Sequence, residues 1–96
     1  MKQFATAKDG VLKQNLYHQD PRARYAAAIV TGNKKKPFHN ELIDLLVDQD
    51  AFVRQSARRG LVLLANKKID FGPRLLDNKE QALESAKLWK NWFRLP

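Results

Sequence analysis

Cysteine is absent from all 96 residues. That excludes disulfides, thiolate metal sites and a cysteine nucleophile. It leaves the redox compartment open, because a cysteine-free chain folds in either. Long apolar runs are also missing. Those present, such as residues 61–65, fall far short of the ~20 residues a membrane-spanning helix needs. Residues 1–10 lack the continuous apolar core of a secretory signal. No membrane partner is expected. The expected place is the cytoplasm, or a larger protein whose targeting signal lies elsewhere. Strictly alternating stretches are scarce, so strands are not expected. There is no glycine-rich phosphate loop, no serine elbow and no His-Glu-x-x-His. The two histidines, His18 and His39, lack metal-ligand spacing and read as surface residues. No catalytic, cofactor-binding or metal-binding residue is expected, and the chain reads as non-enzymatic.

What is present is a helical composition. Leucine, alanine, lysine, arginine and glutamine dominate, and all favour helices. The hydrophobic fraction of 44% is ordinary for a folded domain. A chain this long buries roughly 60–70% of the surface it exposes when unfolded, enough for one modest core. Breakers recur at Asp20-Pro21, Gly32-Asn33, Lys36-Pro37, Asp48 to Asp50 and Gly72-Pro73. They predict five helices, over about 6–18, 21–31, 37–47, 51–65 and 79–93. Asp20 and Asp50 stand where helix N-caps are wanted, and Pro21 at a first helical position loses nothing by lacking an N–H. Asp77 or Asn78 caps the last helix. In that helix Ala82, Ala86, Trp89 and Phe93 form one apolar stripe, with Trp89 and Phe93 expected in the core. Its acids precede its bases, which suits the helix dipole.

The chain also repeats itself. Laid over residues 42–61, residues 12–31 match at Leu12/Leu42, Leu16/Leu46, Gln19/Gln49, Asp20/Asp50, Arg24/Arg54 and Ala27/Ala57. Asn33-Lys34-Lys35 before Phe38 is echoed by Asn66-Lys67-Lys68 before Phe71. A two-helix unit recurring at about this length is the mark of a solenoid. Ala23/Val53, Ala27/Ala57 and Val30/Gly60 would make a narrow stripe on the second helix of each unit. Arg24 and Arg54, at its edge, are placed to reach a carboxylate or carbonyl of the neighbouring unit.

The segment Asp50-Ala51-Phe52-Val53-Arg54-Gln55-Ser56-Ala57 resembles the HEAT repeat signature, and Asp20-Pro21-Arg22-Ala23-Arg24-Tyr25-Ala26-Ala27 resembles a second copy. The closest flavour is that of the bacterial HEAT-like repeats first named from phycobilisome lyases. The tail, Asp70-Phe71-Gly72-Pro73 with a helix ending Trp89-Lys90-Asn91-Trp92-Phe93, is similar to the ends of HEAT domains in large planctomycete-type bacterial proteins. The resemblance implies an all-α HEAT-like solenoid segment, about five antiparallel helices in a right-handed stack. Repeat one would span about 6–33, repeat two about 37–68, and a capping helix about 78–94. Asp20, Arg24, Asp50 and Arg54 would be structural.

The resemblance also places the second helices on a concave face. Helical spacing turns Tyr25, Ala28 and Ile29 away from the small-residue stripe, and likewise Gln55, Arg58, Arg59 and Val62. The candidate binding surface is therefore Tyr25, Gln55, Arg58, Arg59 and Val62, with an ordinary solvated face as the alternative. Lys34-Lys35-Lys36 reads as a solvated turn. The expected role is a protein-interaction or scaffold module with another protein as partner. The alternative is nucleic-acid binding, since the net charge of +8 draws the chain to phosphate. Certain HEAT-like DNA glycosylases grip DNA in a basic groove, but their base-excision chemistry has no counterpart here. A short solenoid exposes stacking faces, so a homo-oligomer is also in view.

Overall fold

In the computed structural model, residues 2–96 are described, with side chains from Lys8 onward. Met1 and the side chains of residues 2–7, part of the polar N-terminal stretch read above, lie outside the described residues. Five helices and no strand occur among the described residues: α1 (Lys2–Asn15), α2 (Pro21–Asn33), α3 (His39–Leu45), α4 (Ala51–Leu64) and α5 (Lys79–Phe93). None is long and apolar enough to cross a membrane. The molecule measures 42 × 28 × 22 Å.

The helix starts follow capping chemistry. Asp20 accepts the Arg22 N–H and Asp50 the Val53 N–H, each satisfying a donor that the first turn leaves unpaired. Asn78, rather than Asp77, caps α5. It exchanges hydrogen bonds with Gln81 in a capping box. Asp77 instead accepts the Arg74 N–H.

Several helix boundaries differ from expectation. α1 stops at Asn15 because Tyr17 and His18 tighten to bonds three residues back. α3 begins at His39, two residues after Pro37, with Phe38 as a cap that has no side-chain bond. α2 runs through Gly32 instead of stopping there, and Lys35 (φ 51°) takes the left-handed turn. The reason is packing: Gly32 meets α4. A Cβ at Gly32 would sit 2.7 Å from Gly60 Cα, so the two backbones touch.

α2 packs chiefly on α4, with α1 against α2, and α3 against both α4 and α5. α2 and α4 run in the same direction. Their N-terminal ends meet through Tyr25 and Phe52, and their C-terminal turns through Lys35 and Asn66. α1 and α3 are joined in matching order, Lys13 to Glu41 and Tyr17 to Asp44. The core holds Leu16, Leu42, Ile43, Leu46, Val53, Leu61 and Trp89, all essentially inaccessible. Ala27, Ala28, Thr31 and Gly32 form the buried face of α2. Ala28 was expected to point away. It is buried because the close Gly32–Gly60 approach rolls that side of α2 onto α4, while Val30 is left exposed beside Lys8 and Leu12.

The two units share local geometry as well as sequence. Arg24 Nη1 donates to the His18 and Gln19 carbonyls, and Arg54 Nη1 to those of Asp48 and Gln49, thirty positions on. His18 Nδ1 accepts the Asp20 N–H as Asp48 Oδ1 accepts the Asp50 N–H. Arg24 additionally grips Asp48 with two bonds of 2.8 and 3.1 Å, in a site where both side chains are largely buried. Arg24 thus reaches the next unit as expected. Arg54 does not; it closes only its own loop.

The turn 70–73 is held from both sides. Arg58 forks onto Asp70, Gln55 donates to the Pro73 carbonyl, and the Trp89 indole N–H donates to the Gly72 carbonyl at 2.8 Å. Gly72 has φ +83°, a conformation that favours glycine. Phe71 meets Trp89 edge-on at 5.1 Å, and Phe93 stacks on Trp89 at 5.8 Å. His39, expected at the surface, is half-buried with its ring 4.5 Å from that of Phe93.

Candidate interaction surface

Four side chains of α4, at 52, 55, 59 and 62, follow the spacing i, i+3, i+7 and i+10 and share one helical face. Phe52 leads this face and is 73% exposed. Across the α2–α4 seam its ring stands edge-on to Tyr25, at 6.5 Å and 85°. The pair flanks a shallow depression of about 290 Å³, completed by Pro21, Arg22 and Asp50. A large apolar side chain left this open loses transfer free energy that burial would supply, about 1.5–3 kcal/mol for a phenylalanine.

The expected surface residues fall into two neighbourhoods. Tyr25 belongs with Phe52. Gln55, Arg58, Arg59 and Val62 line a second depression together with Asp70. Two of these four serve the fold. Gln55 and Arg58 both donate to the Pro73 carbonyl, and Arg58 is saturated further by Asp70 at 2.8 and 2.9 Å. The Arg58 guanidinium holds the Asp70 carboxyl below the usual carboxylate range against the opposing effect of its partial burial, and the Gly72 N–H adds to the lowering. Asp70 in turn raises the pKa of Arg58. Arg59 is exposed and makes no hydrogen bond or ion pair among the described residues.

The position matching Arg58 in repeat one is Ala28. The structure supplies the cause: the 70–73 turn that follows repeat two folds back onto α4, and Arg58 holds it through Asp70 and Pro73. Phe52 was missed as a surface residue. Its counterpart, Arg22, was the available signal, since a position that takes arginine in one unit faces solvent in the next. Asp48 and Asp70 were missed as arginine partners, and their lying beyond the helices hid them from a helix-by-helix reading.

No group of three or more histidine, aspartate or glutamate side chains is placed to hold a metal ion among the described residues. No buried side-chain polar atom among them lacks a hydrogen-bond partner. No protein family, curated protein or solved structure matches this chain.

Proposed function

We propose that this chain is a non-catalytic protein-interaction module of the HEAT-like repeat type, docking its partner on the face Tyr25, Phe52, Gln55, Arg59 and Val62. The observation that carries the reading is the exposed Phe52–Tyr25 pair, an aromatic step continuous with a mixed polar and basic helical face. Interface anchors are commonly aromatic and arginine side chains. The repeated arginine–carbonyl clasps support a HEAT-like stack. So does the matching order of α1 with α3 and of α2 with α4.

The alternative, phosphate binding by this same face, is less favoured. Arg58 is committed to Asp70, which leaves Arg59 as the uncommitted cation of the face among the described residues. The test is affinity capture by the wild type and by Phe52→Ser, with Leu76→Ser as control, since Leu76 is 93% exposed and lines neither depression of this face. A partner lost with Phe52→Ser and kept with Leu76→Ser supports the reading. A partner retained equally by both removes the docking face.

A further inference from the structure

The molecule carries a second charged feature away from the aromatic face. The turns that close α2 and α4 read Asn33-Lys34-Lys35-Lys36 and Asn66-Lys67-Lys68. They lie side by side: Lys35 Nζ donates to Asn66 Oδ1 at 2.6 Å. The Gly32–Gly60 backbone contact just before them fixes their separation. The turns are internally satisfied. The Lys36 N–H bonds the Thr31 carbonyl and the Lys67 N–H bonds that of Val62, so backbone donors consume those helix-end carbonyls and not the lysine ammoniums. α1 adds Lys8, which lines a depression with Lys34 and Lys36. Lys36 is paired with Asp9 at 3.0 Å. Lys34, Lys35, Lys67 and Lys68 have no carboxylate partner among the described residues, and the stretches 31–40 and 61–69 contain no acid.

We infer that this lysine-bearing end binds the phosphate backbone of a nucleic acid. The side-chain types decide the class of partner. Protein interfaces are depleted in lysine and built on apolar cores. These two turns offer lysine and asparagine and no exposed large apolar side chain. Lysine ammoniums and side-chain amides are what contact phosphate and sugar, giving position without sequence readout. The site is separate from the docking face proposed above and stands or falls independently of it.

The test is binding of a short labelled DNA duplex by the full chain across a salt series. Four phosphates engaged give a log–log slope of about −3.6, hence an affinity falling roughly 150-fold between 50 and 200 mM salt. Lys34→Gln/Lys67→Gln/Lys68→Gln spares the Lys35–Asn66 bond, and folding is checked by circular dichroism. Its slope should drop to about −1, one phosphate contact. Arg74→Gln/Lys79→Gln/Lys87→Gln carries the same net charge of +5 (+8 less 3) and should bind like wild type. Equal loss in both variants would reduce the effect to net charge and overturn the proposal. So would no duplex binding by the wild type at 50 mM salt. Tighter binding to poly-glutamate than to duplex would assign the patch to an acidic protein and likewise overturn it.

Discussion

Replacing Gly32 by alanine puts a methyl group 2.7 Å from Gly60 Cα and 3.3 Å from Leu63 Cδ1. Ordinary carbon contacts lie at about 3.5–4.0 Å, so α2 and α4 must part by roughly 1 Å. The obstacle is backbone, which cannot turn aside. Overpacking of this kind costs about 1–3 kcal/mol. Alanine recovers about 0.5–1 kcal/mol in helix preference. The net loss is about 1–2 kcal/mol, which lowers Tm by about 4–16 °C in a domain of this size. Gly60→Ala meets Leu42 Cδ1 at 2.9 Å, the end of a side chain that can shift, so its net change stays within about 1 kcal/mol. Gly10→Ala meets nothing within 4 Å and should gain about 0.5–1 kcal/mol. Thermal unfolding followed by circular dichroism should therefore rank Gly10→Ala above wild type, then Gly60→Ala, then Gly32→Ala. A Gly32→Ala protein melting at or above wild type would refute the backbone contact at the α2–α4 seam.

Trp89→Ala removes the largest buried side chain and the 2.8 Å bond to Gly72, and should cost about 3–5 kcal/mol; an unchanged denaturation midpoint would contradict its core role. Asp70 has a depressed carboxyl pKa in the fold, so its contribution is present above the unfolded carboxylate value and lost as pH falls from about 4. Its exposure keeps that contribution below about 1 kcal/mol. Asp70→Asn should flatten the acid limb of a stability–pH curve, and an identical limb would deny the Arg58 pairing a role. Partial desolvation of a side chain that is still exposed, and then the 2.7 Å bond to Asp44, raises the Tyr17 phenol pKa. Its stabilisation is present below the unfolded value of about 10 and is lost as pH rises above it. Tyr17→Phe should lose less stability than wild type between pH 9 and about 11 in urea titrations, and equal losses would count against the Tyr17–Asp44 contact.

The all-helical fold was legible because its signals are local. α5 is read to its bounds: its charge order and the stripe of Ala82, Ala86, Trp89 and Phe93 agree with one another. The Asp20 and Asp50 caps were legible for the same reason. Errors gathered where a tertiary contact overrules a local preference. Gly32 reads as a stop, yet it is the contact point that lets α2 continue against α4. Ala28 reads as outward by spacing, but a helix that touches its neighbour backbone to backbone buries a wider face than a stripe of small residues implies. Arg58 reads as free because its carboxylate lies twelve positions away, beyond the end of the helix. Lys34-Lys35-Lys36 reads as a solvated turn, and only the fold brings it beside Lys67 and Lys68.

The central claim, that partners dock on the Phe52–Tyr25 face, is tested most directly by site-specific photocrosslinking. A photoreactive phenylalanine analogue is placed at position 52 and, in a second protein, at position 76, and each is irradiated in extract. Discrete adducts from position 52, absent from position 76 and suppressed by Tyr25→Ser, are the predicted result. Adducts of equal yield from both positions, or from position 76 alone, would contradict the claim.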